Sequence, residues 1–137
     1  MPRLSKAAAQ ERKARIVALA EKRFVQNGYE QTTVDEIVKE IGLAKGTYYY
    51  HFDSKEDLMI AVSEKLILET STKLNAVYDR RDKDIVWRIR NVLKTYQDDF
   101  YRNKGIWRQV YHWRNAMLYH RVAHISAQRF TPILEDL

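Results

Sequence analysis

The chain is predicted to be all-α. Apolar residues recur at helical spacing along nearly its whole length, and only four glycines and two prolines interrupt them. No segment alternates apolar and polar residues as an amphipathic strand does, and internal repeats and low-complexity tracts are absent. The 137 residues suffice for one domain, or a small domain with part of another.

The first ten residues read as a disordered basic arm, residues 1–10. A helix follows in which Ile16, Ala20 and Phe24 form one stripe with Val17 and Leu19 beside it, until Asn27-Gly28 stops it. Thr33 and Glu36 have the spacing of a capping box, in which each side chain satisfies a backbone amide of the other. Val34, Ile37, Val38 and Ile41 then give the next helix one apolar face, and Gly42 ends it. A short helix, about Ala44 to His51, opens after this turn and needs its neighbours to hold it. Tyr49 and Phe52 are expected to face inward, leaving Lys45, Thr47, Tyr50 and His51 outward, with Gly46 allowing close approach.

Ser54 with Asp57 caps a long helix running from Lys55 to about Tyr78, whose amino end makes an anion site beside Lys55. Its apolar positions include Leu58, Val62, Leu66, Ile67, Leu74 and Val77. Asp79-Arg80-Arg81-Asp82 reads as a linker. Ile85, Ile89, Val92, Leu93, Tyr96 and Phe100 continue at helical spacing, Asn103-Lys104-Gly105 turns the chain, and further helix starts at Ile106. Thr131-Pro132 looks like the opening of a last helix. The doublets Asp98-Asp99 and Arg80-Arg81 read as solvated faces.

Two short helices around a glycine turn, the second bearing basic, hydroxyl and aromatic groups, suit a DNA groove and its phosphates. Lysine reaches guanine acceptors or phosphate, threonine offers a hydroxyl or a methyl, and tyrosine and histidine donate to phosphate oxygens. Net charge is +6, split as +3 over residues 1–52, −1 over 53–81 and +4 over 82–137, which favours polyanions only modestly. Arg3, Lys6, Arg12, Lys13 and Arg15 read equally as a solubilising end or as phosphate and minor-groove contacts.

The run Gly42-Leu43-Ala44-Lys45-Gly46-Thr47-Tyr48-Tyr49-Tyr50-His51-Phe52, followed by Ser54-Lys55-Glu56-Asp57-Leu58, resembles the signature of tetracycline-repressor (TetR) family transcriptional regulators. The resemblance covers about Arg12 to Val62. It implies that the segment matching Ala44 to His51 is a recognition helix in the major groove. Thr33, Tyr50, His51 and Lys55 match phosphate contacts, and Tyr49 matches a residue supporting or touching the backbone. The implied DNA-binding residues are thus Thr33, Ala44, Lys45, Gly46, Thr47, Tyr49, Tyr50, His51 and Lys55. Ala44 stands where the family often has serine, and Tyr48 where it usually has an aliphatic residue.

The resemblance further implies a helix-turn-helix domain over 11–57 and an effector-binding and dimerisation domain over 58–137. The implied protein is a cytoplasmic homodimeric repressor, released from a palindromic double-stranded operator when a small-molecule effector tilts the long helix. A DNA-binding module without an effector is the alternative. Tyr96, Phe100, Trp107, Tyr111 and Trp113 are either core or the wall of an effector pocket, with His112 and Arg114 able to anchor a polar end. TetR regulators usually continue with two more helices that pair across the dimer. The 137 residues are therefore expected to be a fragment that dimerises poorly.

Other classes receive little support. Without cysteine there is no disulfide or thiolate-metal framework, in keeping with a reducing cytoplasm. No apolar run approaches a membrane span, and the N-terminus lacks the apolar core of a signal peptide. Of His112, His120 and His124, only the last two are spaced to share an ion, and no carboxylate or cysteine lies in that segment, so no metal and no cofactor are expected. Nothing resembles a nucleophile-base set, a phosphate loop or paired catalytic carboxylates, and no enzyme is expected.

Overall fold

The computed structural model describes residues 5–112 and 115–136, and among them the only regular structure is helix. The helices are α1 (Lys6–Asn27), α2 (Val34–Ile41), α3 (Lys45–His51), α4 (Lys55–Tyr78), α5 (Ile85–Arg102), α6 (Lys104–Val110) and α7 (Ala116–Glu135). The chain divides into two compact units, Met1–Val62 and Ser63–Leu137. Leu58, Met59 and Val62, on the first turns of α4, are fully buried.

In the first unit each helix stop has a local cause. Gly28 at φ +81° ends α1, its amide donating to the Phe24 carbonyl at 3.0 Å. Gly42 at φ +79° ends α2 in the left-handed region, where a side chain is strained, and its amide donates to the Val38 carbonyl at 3.0 Å. The capping box forms: the Glu36 amide donates to Thr33 Oγ1 at 3.1 Å, and the Thr33 amide donates to Glu36 Oε2 at 3.3 Å. The core takes Ile16, Ala20 and Phe24 from α1, Ile37 and Val38 from α2, Tyr48 from α3 and Phe52 after it. The larger of these, Ile16, Phe24, Ile37, Val38 and Phe52, each contribute about 1.5–3 kcal/mol of hydrophobic stabilisation.

Two expectations for this unit are corrected. The arm over residues 1–10 is helical from Lys6, because Ser5 caps α1 by accepting from the Ala8 amide at 3.1 Å. Tyr48, not Tyr49, faces inward: Tyr48 is fully buried, whereas Tyr49 is 48% exposed. The Tyr48 hydroxyl donates to the Ser54 carbonyl at 2.7 Å, satisfying the one polar atom that burial would otherwise strand. Burial pushes this phenol well above its ordinary pKa.

The second unit gathers Leu74 and Tyr78 of α4, Val92 of α5 and Ile133 of α7 into one cluster, with Val77 and Phe130 against it. Here polar residues share the interior. Asp99 is buried and accepts from Thr70 Oγ1 at 3.0 Å, from Lys73 Nζ at 2.9 Å and from Arg102 at 3.2 Å. Arg88 is also buried; its Nε donates to the Tyr78 carbonyl at 2.9 Å and its guanidinium lies 4.4 Å from the Tyr78 ring. Tyr78 in turn donates to the Asp136 carbonyl.

These pairs overturn the expected stripe on α5. Arg88, Val92 and Asp99 are its buried residues, while Ile85, Ile89, Leu93 and Tyr96 are exposed. Apolarity alone does not reveal an inward face whose charges are paired. Asp99 is consequently no part of a solvated face. Nor does Pro132 open a helix: it lies in the last turns of α7, because Leu118, Val122, Phe130 and Ile133 continue one inward line past it. That burial outweighs the one hydrogen bond proline cannot donate.

Candidate nucleic-acid interface

The outer surface of α3 is built from what its core contacts leave free. Tyr48 and Phe52 pack inward with ring centroids 5.5 Å apart, which turns Lys45, Gly46, Tyr49 and Tyr50 to solvent. Tyr50 is 74% exposed, its ring edge-to-face with His51 at 4.9 Å between centroids. Thr47 and His51 are half-buried. Ala44 is the α3 N-cap and offers no side-chain acceptor, so the departure from serine leaves the helix without a capping bond. A Cβ built on Gly46 would meet nothing within 4 Å, so no packing inside the chain requires glycine there.

The cations on this surface differ in their freedom. Lys45 Nζ pairs with Asp35 of α2 at 2.9 Å, both exposed, and this hydrogen bond raises the lysine pKa. Lys55 points elsewhere: its ammonium donates to the Tyr29 carbonyl at 2.9 Å and the Thr32 carbonyl at 3.2 Å, and sits 4.3 Å from the Tyr29 ring. It thereby ties the start of α4 to the loop between α1 and α2, a structural duty that sequence spacing did not signal. Burial pushes the Tyr29 hydroxyl up to about 12. Ser54 caps α4 by accepting from the Asp57 amide at 3.1 Å.

His51 meets α1. Arg12 Nε donates to His51 Nε2 at 3.1 Å. Burial, Arg12 and Lys13 together lower the imidazole pKa. This contact spans 39 residues of sequence and had no local signal. The burial of Tyr48 did have one, since the family position it matches is usually aliphatic.

The sequence profile of bacterial regulatory proteins of the tetR family matches residues 16–62, the span that builds this surface. Those residues belong to the tetR family. The chain is 44% identical over 50 residues to the HTH-type transcriptional regulator QacR of Staphylococcus aureus, covering 36% of this chain and 27% of QacR. It is 36% identical over 66 residues to the HTH-type transcriptional regulator TtgR of Pseudomonas putida, covering 48% of this chain and 31% of TtgR. The chain thus spans about a third or less of these curated relatives. In fold it superposes on the fatty acid degradation regulator FadR of Bacillus halodurans with a TM-score of 0.72 at 17% identity, over 98% of this chain and 67% of that one.

The second unit holds the aromatic residues singled out beyond this tetR segment. Tyr96, Phe100, Trp107 and Tyr111 line one cavity with Ile67, Thr70, Ser126 and Phe130. His112 does not line it, and Trp113 and Arg114 lie outside the described residues. The cavity measures about 20 Å³, room for about one water molecule. The edge-to-face pair of Tyr96 and Phe130, centroids 5.8 Å apart, also borders an apolar groove of about 250 Å³ between α4, α5 and α7. His112, His120 and His124 are all exposed.

Proposed function

We propose that this chain acts as a DNA-binding transcriptional repressor of the tetR type, binding a palindromic operator in the cytoplasm as a homodimer. The observation that carries the reading is α3. It is a seven-residue helix anchored by buried Tyr48 that presents Lys45, Thr47, Tyr49 and Tyr50 outward, within a segment matching the tetR profile. Lys45 and Thr47 are the base-reading candidates, with Ala44 and Gly46 allowing close approach. Thr33, Tyr49, Tyr50 and His51 are the phosphate candidates. Lys55 keeps a phosphate role only through what donor capacity its two carbonyl bonds leave. Two copies would set their α3 helices in successive major grooves about 34–36 Å apart.

Selection of bound duplexes from a randomised pool tests this. A palindromic consensus is expected, with preference at one base pair lost in Lys45→Ala; recovery of no enriched sequence would sink the reading.

The effector reading places a small, largely apolar molecule among Tyr96, Phe100, Trp107 and Tyr111, opening toward the apolar groove past the Tyr96–Phe130 pair. By linkage, such a ligand weakens DNA binding only by as much as it prefers the DNA-incompetent state. The second reading, a DNA-binding module without an effector, draws on the cavity's room for only about one water. Tryptophan fluorescence titrated against compounds that release DNA separates the two, since Trp107 lines the cavity.

A further inference from the structure

The aromatic cavity of the second unit has a polar floor whose hydrogen-bonding sense is fixed. Ile67, Thr70 and Trp107 are buried at its base, while Tyr96 and Tyr111 are exposed at its rim. Ser126 is half-buried, so Thr70 carries the most deeply buried hydroxyl among the lining residues. Thr70 Oγ1 donates to Asp99 Oδ2 at 3.0 Å, and that carboxylate also accepts from Lys73 Nζ at 2.9 Å and from Arg102 at 3.2 Å. A carboxylate paired with two cations can only accept, so the single proton of Thr70 is committed to Asp99. Toward anything in the cavity Thr70 then presents oxygen lone pairs and no donor.

We infer that Thr70 selects the ligand of this cavity, and that the ligand class is a small apolar alcohol or phenol whose hydroxyl donates to Thr70 Oγ1. The inference rests on the effector reading and gives that reading a chemical direction. A volume of about 20 Å³ admits one hydroxyl-sized group at the floor, and the apolar body carrying it lies toward the rim between Tyr96, Tyr111 and Phe130. A carboxylate is refused, because it has no proton to give Thr70 and meets the negative charge of Asp99 behind it. An ammonium has protons, but Lys73 and Arg102 already match that charge, and a third cation finds no counter-ion. A purely apolar ligand leaves the Thr70 lone pairs dry and unpaired, the cost by which a site built for a hydroxyl rejects the analogue lacking it. A neutral hydroxyl meets none of these costs. Its donation also polarises the Thr70 bond to Asp99, so occupancy strengthens the tie between α4 and α5.

Phenol, its isostere toluene, and benzoate are the probes, titrated into the chain without DNA and followed by the indole N–H resonance of Trp107, assigned with Trp107→Phe. Phenol is expected to bind about fivefold more tightly than toluene, the worth of one hydrogen bond, and benzoate not to bind. The preference should vanish in Thr70→Val, which keeps the shape of the side chain, and persist in Thr70→Ser, which keeps the hydroxyl. Because Thr70→Val also takes a donor from Asp99, the wild type supplies an independent readout: a nuclear Overhauser effect between bound phenol and the Thr70 methyl group. Equal affinity for phenol and toluene, benzoate binding as tightly as phenol, a preference untouched in folded Thr70→Val, or no Overhauser contact with Thr70 overturns the assignment and leaves the effector reading in place. If none of the three probes moves the Trp107 resonance, the assignment falls together with the effector reading at this cavity.

Discussion

The two units bury their interiors by different rules. The first is apolar inside and polar outside: its buried residues are Ile, Val, Ala, Leu, Met and aromatics, with Thr32 the polar residue closed in, donating to the Gly28 carbonyl at 2.8 Å. The second places Asp99 and Arg88 inside α5 and leaves Ile85, Val86, Ile89 and Leu93 exposed on the same helix. Local signals therefore specify the first unit, while the second depends on pairs that form only after α4 and α5 meet. Its exposed apolar face also makes it the less self-sufficient of the two.

The largest expected effect probes the first unit. Tyr48→Ala should cost about 3–5 kcal/mol, as truncation of a buried aromatic does, and Tyr48→Phe about 1–2 kcal/mol for the lost bond to the Ser54 carbonyl. Tyr49→Ala should change stability by under about 1 kcal/mol while weakening DNA binding. All three tryptophans lie at 87, 107 and 113, so their fluorescence reports the second unit and far-ultraviolet circular dichroism reports both. Denaturation of Tyr48→Ala followed by both probes should show loss in the dichroism transition. Equal destabilisation by the Tyr48 and Tyr49 truncations would reverse the facing of α3.

Next comes the polar interior of the second unit. Asp99→Ala removes the acceptor shared by Thr70, Lys73 and Arg102 and should cost about 1–3 kcal/mol. The cost stays below that of a fully enclosed ion pair because Lys73 and Arg102 can turn to solvent. Tryptophan fluorescence should register it. A neutral result would mean that Asp99 contributes no more than a surface pair and that the contrast between the units is weaker than their burial suggests.

Legibility in the sequence follows the range of the contact rather than the unit it lies in. The capping box at Thr33, the stops at Gly28 and Gly42, and the span of α4 from Lys55 to Tyr78 all rest on neighbours within a few residues, and each appears where local rules put it. The Arg12–His51 contact, the Lys55 tie to the Tyr29 and Thr32 carbonyls, and the Asp99 cluster join residues 23 to 39 apart. No periodicity encodes them. Tyr48 and Tyr49 illustrate the limit within one helix: Phe52 is four residues from the first and three from the second, so both spacings are compatible with a shared face, and tertiary packing chooses.

Smaller effects sharpen the interface. Thr33→Ala removes one half of the capping box and should destabilise the first unit by about 1 kcal/mol, with a further loss of DNA affinity if the hydroxyl meets a phosphate. Gly46→Ala should behave oppositely in the free chain. The added methyl meets nothing within 4 Å and favours helix by up to about 1 kcal/mol. A stabilised chain with weaker DNA binding would place DNA against Gly46; unchanged binding would leave the glycine without a functional reason. Asp35→Asn should release Lys45 and tighten binding to duplexes of any sequence, read as a lower Kd at low salt.

The smallest effect is that of Leu93→Lys, set against its neighbour Val92 on α5. Val92 is 4% exposed and Leu93 is 61% exposed, although both belong to the apolar stripe that spacing alone assigns to the core. Val92→Ala deletes buried methyl groups from the cluster with Leu74, Tyr78 and Ile133, and should cost about 1–2 kcal/mol. Leu93→Lys puts a charge where solvent already reaches, and should change stability by no more than about 0.5 kcal/mol. Urea denaturation of dilute samples compares the two on equal terms. If Leu93→Lys proves the costlier substitution, the exposed face of α5 is covered in solution by something packed against it.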